Sequence, residues 1–232
     1  VPSRAPGSRV LIVRDPAAFA AGHGNGHPIA GIFANGSRLN NDGESLKLED
    51  SLNGTIKEFT YNDNVPWPLA ADDGYSLILI DPNSDPDPAV AINWRSSALP
   101  GGNPNGSDRL SAPVDSNGDL DGNRIPDLID YALGNHLGSG AIPPQLSWQT
   151  YDIEGNPQEL LTLSYPVSLG ADGATIGVNV SSDLISWEDA DADTVMVSET
   201  NLGDGRALRA VRFNPPIGSG DKQFVRLRME KK

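Results

Sequence analysis

The chain has 232 residues, 25 of them Gly and 19 Pro, with no Cys and a formal net charge of −14. That balance excludes disulfides, thiolate metal sites and a cysteine nucleophile, and it argues against nucleic acid or an anionic membrane as partner, because phosphate binding needs a basic surface. Length and turn content suit two small domains of many short strands, and no apolar run approaches the length of a membrane span.

The opening Val1-Pro2-Ser3-Arg4 holds no signal peptide and is expected to continue from a longer protein. Val10-Leu11-Ile12-Val13 is short and apolar and predicts a buried strand. Asp15 then stands as an N-cap before Pro16 and a run of Ala and Phe19, which predicts a helix of one or two turns. His23 and His27 are four apart, but Gly22, Gly24 and Gly26 around them predict a loop rather than a two-His metal site. A strand is expected to begin at Ile32-Phe33, with turns at Asn35-Gly36-Ser37 and over Asn40 to Glu44.

Ser45 to Asp50 alternates apolar and charged residues, Asn53-Gly54 is a hairpin signal, and Thr55 to Tyr61 returns as its partner. Trp67 is held between Pro66 and Pro68, Tyr75 to Ile80 predicts a strand, and Asn93-Trp94-Arg95 follows a Pro- and Asp-rich loop. Trp67 and Trp94 are expected in packing rather than as sugar-stacking platforms, since large aromatics mostly go inward.

The succession from Val13 to Phe19, then Leu39 to Leu48, Tyr61 to Trp67, Tyr75-Ser76-Leu77 and Asn93-Trp94-Arg95 resembles the lamin-tail domain family, in the bacterial form found within long secreted or cell-surface proteins. The resemblance spans about residues 8–107. It implies an immunoglobulin-like β-sandwich, but the upstream strands of that family have no counterpart here. Uncovered sheet edges would follow, to be met by another chain or by a rearranged N-terminal half.

Pro100 to Ser107 is a linker by composition. The next segment, Asp115 to Asp130, carries carboxylates and amides at every second position through Asn123. Such alternation cannot be a buried strand, because it would bury unpaired charge. It can wrap a hard cation: a calcium loop presents oxygens from positions 1, 3, 5, 7, 9 and 12. Counted from Asp119, these are Asp119, Asp121, Asn123, Ile125 through its carbonyl, Asp127 and Asp130, with Asp115 and Asn117 available to an overlapping site. Arg124 stands at position six where Gly is usual, and Asp130 replaces the usual Glu; both predict weaker affinity. The alternative is a solvated acidic linker. Leu128, Ile129, Ala132 and Leu133 then fall at helical spacing and end at Gly134. The repeat, with Ile125-Pro126-Asp127 and Leu133-Gly134, resembles thrombospondin type 3-like and dockerin-like calcium repeats, which implies Ca²⁺ at Asp119, Asp121, Asn123, Asp127 and Asp130.

From Pro143 the pattern is β again: Glu159 to Tyr165, Ile176 to Ser181, Thr194 to Val197, Leu208 to Phe213 and Phe224 to Met229. The arginines of the last two strands are expected on a solvated face. Asp183-Leu184-Ile185-Ser186-Trp187 and Phe224 to Arg228 resemble C-terminal β-modules of bacterial surface proteins, to which no catalytic activity attaches.

No Gly-x-Ser-x-Gly elbow, phosphate loop or dinucleotide fingerprint occurs; Gly138-Ser139-Gly140 and Gly218-Ser219-Gly220 read as flexible loops. Glu44, Glu49, Glu58 and Glu159 could serve as paired carboxylates for glycoside hydrolysis, or simply as exposed strand residues.

The resulting expectation is an all-β chain of two immunoglobulin-like β-sandwiches, 8–107 and 141–232. A calcium loop and short helix at 108–140 would fix the angle between them. The expected role is a non-catalytic, calcium-stabilised module of a secreted or cell-surface bacterial protein, in adhesion, spacing, or contact with carbohydrate or another protein chain. A polysaccharide hydrolase with carboxylates between the domains, and a filament subunit or homo-oligomer joined through uncovered edges, are the alternatives.

Overall fold

The computed structural model describes residues 5, 7–68, 74–136, 140–214 and 224–232. Val1 to Arg4, Gly138-Ser139 and Gly218-Ser219-Gly220 lie outside the described residues. The chain is all-β with two short α-helices. None of its described helices is long and apolar enough to cross a membrane. It divides into two compact units, Val1–Asp108 and Arg109–Lys232.

In the first unit, β1 (Leu11–Val13) and β2 (Ile29–Ile32) pair in parallel across a helical crossover, α1 (Pro16–His23). The Asp15 carboxylate caps α1 by accepting from Ala17 N at 2.8 Å and Ala18 N at 3.1 Å, while Pro16 supplies a first position that needs no donor. β2 ends at Ile32, where a strand was expected to begin. The hairpin of β3 (Gly43–Glu49) and β4 (Thr55–Asn62) turns at Asn53, whose φ of 64° is left-handed. Asp50 fixes that turn, accepting from Leu52 N and Gly54 N at 2.8 Å each. β5 (Leu77–Leu79) and β6 (Trp94–Ser96) form the third pair.

Among the described residues of this half the strands pair two by two, narrower than the sheets expected of an immunoglobulin-like sandwich. β1, β5 and β6 are only three residues long, too short to carry a wide ladder. Aromatic stacking links what pairing does not. Phe59 of β4 stacks on Trp94 of β6 at 5.8 Å between centroids, and Trp67 lies 6.1 Å from Trp94. Both tryptophans are half-buried. The buried Arg95–Asp108 ion pair, 2.8 Å, closes the unit's end, and Asp108 also accepts from Ala98 N.

The second unit holds two larger antiparallel sheets. One has the order β11–β12–β8–β7, with β7 Gln145–Ile153, β8 Asn156–Ser168, β11 Thr194–Asn201 and β12 Arg206–Phe213. The other has the order β10–β9–β13, with β9 Ala174–Ser181, β10 Glu188–Asp189 and β13 Phe224–Lys231. Leu160, Leu163, Tyr165, Val167, Val178, Val211 and Phe213 are buried here. Helix α2 (Asp127–Leu133) packs against β8, β9 and β13 through buried Leu128, Tyr131, Ala132 and Leu133. It stops at Gly134, φ 69°, where a Cβ would meet the Arg206 side chain at 2.8 Å. Arg206, 1% exposed, donates to the Gly140 carbonyl and to the Asp204 carboxylate.

The arginines do not form a simply solvated face. Arg209 is half-buried beside Tyr165 and donates two hydrogen bonds to the buried Glu199. Burial pushes the Tyr165 hydroxyl up, with Arg209 pulling the other way. Arg226 lies 4.1 Å above the Trp187 ring, and Arg228 pairs with Asp189 and Asp191.

Candidate metal centre

The residues from Asp115 to Asn135 form one continuous turn-and-helix element of the second unit. Their side chains are spent first on the backbone of the loop. Asp115 accepts from Asn117 N at 3.0 Å, Asp119 from Arg124 N at 3.0 Å, and Asp121 from Asn123 N at 3.1 Å. Asn123 Oδ1 accepts from Ile125 N at 2.7 Å, and Asp127 Oδ1 from Leu120 N at 2.8 Å. The Asp115, Asp121 and Asn123 bonds, each two residues long, are the short-range side-chain-to-backbone kind that Asp and Asn favour over helix or sheet. Gly122 and Arg124 both take left-handed backbone, φ 75° and 70°. Arg124 thus adopts at position six the bend for which glycine is the usual solution.

Three of the expected ligands meet directly. The Asn123 amide Nδ2 donates to Asp121 Oδ2 at 3.0 Å and to Asp130 Oδ2 at 2.9 Å. The other Asp130 oxygen accepts from Asn135 Nδ2 at 2.8 Å. Asp130 is only 5% exposed, yet both of these donors are neutral amides and no ion pair engages it among the described residues. A buried carboxylate is ordinarily paired or bound to a metal.

Asp115, Asp121, Asp127 and Asp130 line one open cavity of about 620 Å³, with Ser111, Tyr131 and His136 on its walls. Asp119, Asn117, Asn123 and Ile125 are not among its lining residues. No group of three or more His, Cys, Asp or Glu side chains is drawn close enough to hold an ion among the described residues. The donor set is hard oxygen throughout, which fits calcium in kind; its carboxylates share a cavity but are not convergent.

Lys231 Nζ donates to the Pro113 carbonyl at 2.6 Å and so ties the end of β13 to the segment entering the loop. The Tyr131 hydroxyl donates to Leu110 O and accepts from Gly173 N, which fixes α2 under the cavity. Asn135 was not anticipated as part of the centre. Its only signal in the sequence is a polar residue just past Gly134, where a helix has already ended.

The other candidates are accounted for locally. His27 Nε2 lies 2.9 Å from the His23 carbonyl, and Phe19 packs on both rings. Glu44 accepts from Asn40 N and the Tyr61 hydroxyl, and Glu49 pairs with Lys47 at 2.7 Å. Glu159 belongs to the second unit, while Glu44, Glu49 and Glu58 belong to the first. Comparison of this chain with known protein families, curated proteins and solved structures finds no match.

Proposed function

We propose that this chain is a non-catalytic, calcium-stabilised module of a secreted or cell-surface bacterial protein, built on lamin-tail-like and β-sandwich modules. The observation that carries the reading is Asp130: a buried carboxylate, held by two neutral amides, on the wall of a cavity that Asp115, Asp121 and Asp127 also line. A divalent cation there supplies the missing positive charge. The ion draws the exposed carboxylates onto Asp130, takes oxygens from Asp119, Asn123 and the Ile125 carbonyl, and fastens the loop to α2. Because α2 is packed on β8, β9 and β13, the ion stabilises the second unit itself.

The role that follows is mechanical: a folded spacer or adhesive module whose rigidity depends on extracellular calcium. Titration calorimetry after chelation should give a saturable calcium heat and a rise in Tm. Absence of both heat and shift would overturn the proposal. Contact with another chain is favoured by the apolar surface of the first unit, where Ile32 is 62% and Ile56 60% exposed. Size-exclusion chromatography with light scattering separates a homo-oligomer or filament subunit from a monomeric module.

A further inference from the structure

The first unit contains a second built cavity, of about 340 Å³. Phe59 and Trp94 give it an aromatic wall, and Tyr61 stands beside them. Around that wall are the Asn41 amide, the Tyr75 hydroxyl and the Ser76 hydroxyl, none of which is hydrogen-bonded to a side chain or backbone group of the described residues. Every described lining residue is neutral. The Glu44 carboxylate is occupied by the hydroxyl of the lining Tyr61 and by Asn40 N. Burial, with Glu44 beside it, pushes the Tyr61 hydroxyl up to about 12, so it stays protonated at any physiological pH.

These features select a ligand by elimination. Among the described lining residues a phosphate or carboxylate would find no cation, and a metal ion no carboxylate. A purely apolar ligand would cover three polar groups without pairing them, each at a cost. What fits is a neutral ring with one apolar face and a rim of hydroxyls. The slightly positive C–H groups of such a ring rest on the negative face of an aromatic side chain, and its hydroxyls reach the amide and hydroxyl groups around it. Small-molecule sites begin at roughly 300 Å³, so this one takes about one ring or two.

We infer that the cleft between Phe59, Trp94, Asn41, Tyr75 and Ser76 is a binding site for a neutral pyranose residue of a glycan. The inference deepens the contact role proposed above and rests on that role, though not on the ion. Trp94 serves both uses: its ring packs on Phe59 and Trp67, and the residue also lines the cavity.

The test uses the full chain, with calcium and again with chelator, titrated separately with methyl glucoside, methyl galactoside, N-acetylglucosamine and, as a planar non-sugar, indole. Indole N–H resonances are followed by NMR, with Trp94 assigned from Trp94→Phe. At least one sugar should shift the Trp94 signal saturably, with a Kd on the order of millimolar. Asn41→Ala changes an exposed residue and should preserve the fold while weakening that sugar about fivefold. No saturable sugar shift, a shift with indole alone, or unchanged binding in both Asn41→Ala and Ser76→Ala would overturn the inference. Sugar binding that persists with chelator while no calcium heat is seen would sink the metal reading alone.

Discussion

The two units use similar raw material to different ends. Both are strand-rich and turn-rich, yet Val13, 7% exposed, is the only buried hydrophobic residue besides proline among the described residues of the first unit, and the rest of the core lies in the second. The first unit leaves Ile32, Leu52, Ile56, Ile92 and Leu99 more than half exposed. The difference is pairing. In the second unit β8 has neighbours on both sides, so its thirteen residues are covered along most of their length. In the first unit no described strand has two neighbours. An amphipathic strand gains from burial only when a second layer meets its apolar face. The aromatic cluster of Phe59, Trp67 and Trp94 is the first unit's substitute for such a layer, and the cavity beside it is what that substitute leaves open.

The strongest way to break this comparison is to remove one large side chain from each unit. Phe213, 1% exposed, should cost about 3–5 kcal/mol on replacement by Ala, whereas Ile56→Ala, 60% exposed, should cost less than about 0.5 kcal/mol. Denaturant melts followed by far-UV circular dichroism measure both. Equal costs would mean that Ile56 is covered in solution, which would sharpen the expectation of a partner on the first unit. Native-state hydrogen exchange reads the same contrast without mutation: the slowest amides should lie in β8 and β12, not in β3 or β4.

The next largest effect belongs to Arg206. Its guanidinium is buried, and Arg206→Met should destabilise the second unit by about 3 kcal/mol, since Asp204 and the Gly140 carbonyl lose their charged donor. The same pair sets an acid limit. The Arg206 hydrogen bonds hold the Asp204 carboxyl below the usual carboxylate range. A carboxyl depressed in the folded state stabilises above its unfolded pKa, and that stability is lost as pH falls through the folded value. Below about pH 4, near the ordinary Asp value, the wild type should therefore lose stability more steeply than Arg206→Met.

Much of the second unit was legible because its strands are long and its turns carry Gly, Asn or Asp. Even so, β7 was missed: Gln145 to Ile153 mixes Trp148 and Tyr151 with Gln, Thr and Asp. Its turn, at Glu154 and Gly155, both at positive φ, lacks the Asn-Gly or Asp-Gly pair that announces such hairpins. In the first unit the Asp15 cap and the Asn53-Gly54 hairpin were readable, since both are local chemistry. That the strands would stop at pairs was not, because sheet width depends on which distant edges meet. The acidic loop shows the same division. The spacing of its oxygens is written in the sequence, but the burial of Asp130 and the arrival of Asn135 depend on α2 docking against β8, β9 and β13.

Calcium offers a test that acts on one unit alone. At about a hundredfold excess over Kd, an ion that binds only the folded state adds roughly 2.7 kcal/mol. Asp130→Asn should abolish that gain, and Asp121→Asn, at an exposed position, should reduce it while leaving the apo fold intact. Because the loop belongs to the second unit, the exchange protection of β3 and β4 should not respond to calcium. Equal calcium protection in the first unit would show that the ion's influence crosses Asp108.

The smallest effect separates backbone strain from charge at Arg124. Left-handed backbone costs an ordinary side chain roughly 1–2 kcal/mol, and Gly gives back about 0.4–1 kcal/mol of that through the freedom of the unfolded chain. Arg124→Gly should therefore stabilise the calcium-free protein by only about 0.5 kcal/mol, with the Asp119 to backbone N–H bond retained. It also removes a positive charge from a loop of carboxylates. At a separation of roughly 10 Å in water that charge repels a divalent ion by a little under 1 kcal/mol before screening, so calcium should bind about twofold tighter in physiological salt and somewhat more at low salt. Arg124→Lys keeps the charge and the strain, and it should change neither quantity. If Gly stabilises the apo protein but leaves calcium affinity untouched, the bend at residue 124 serves the fold of the loop and the ion, if it binds, sits elsewhere.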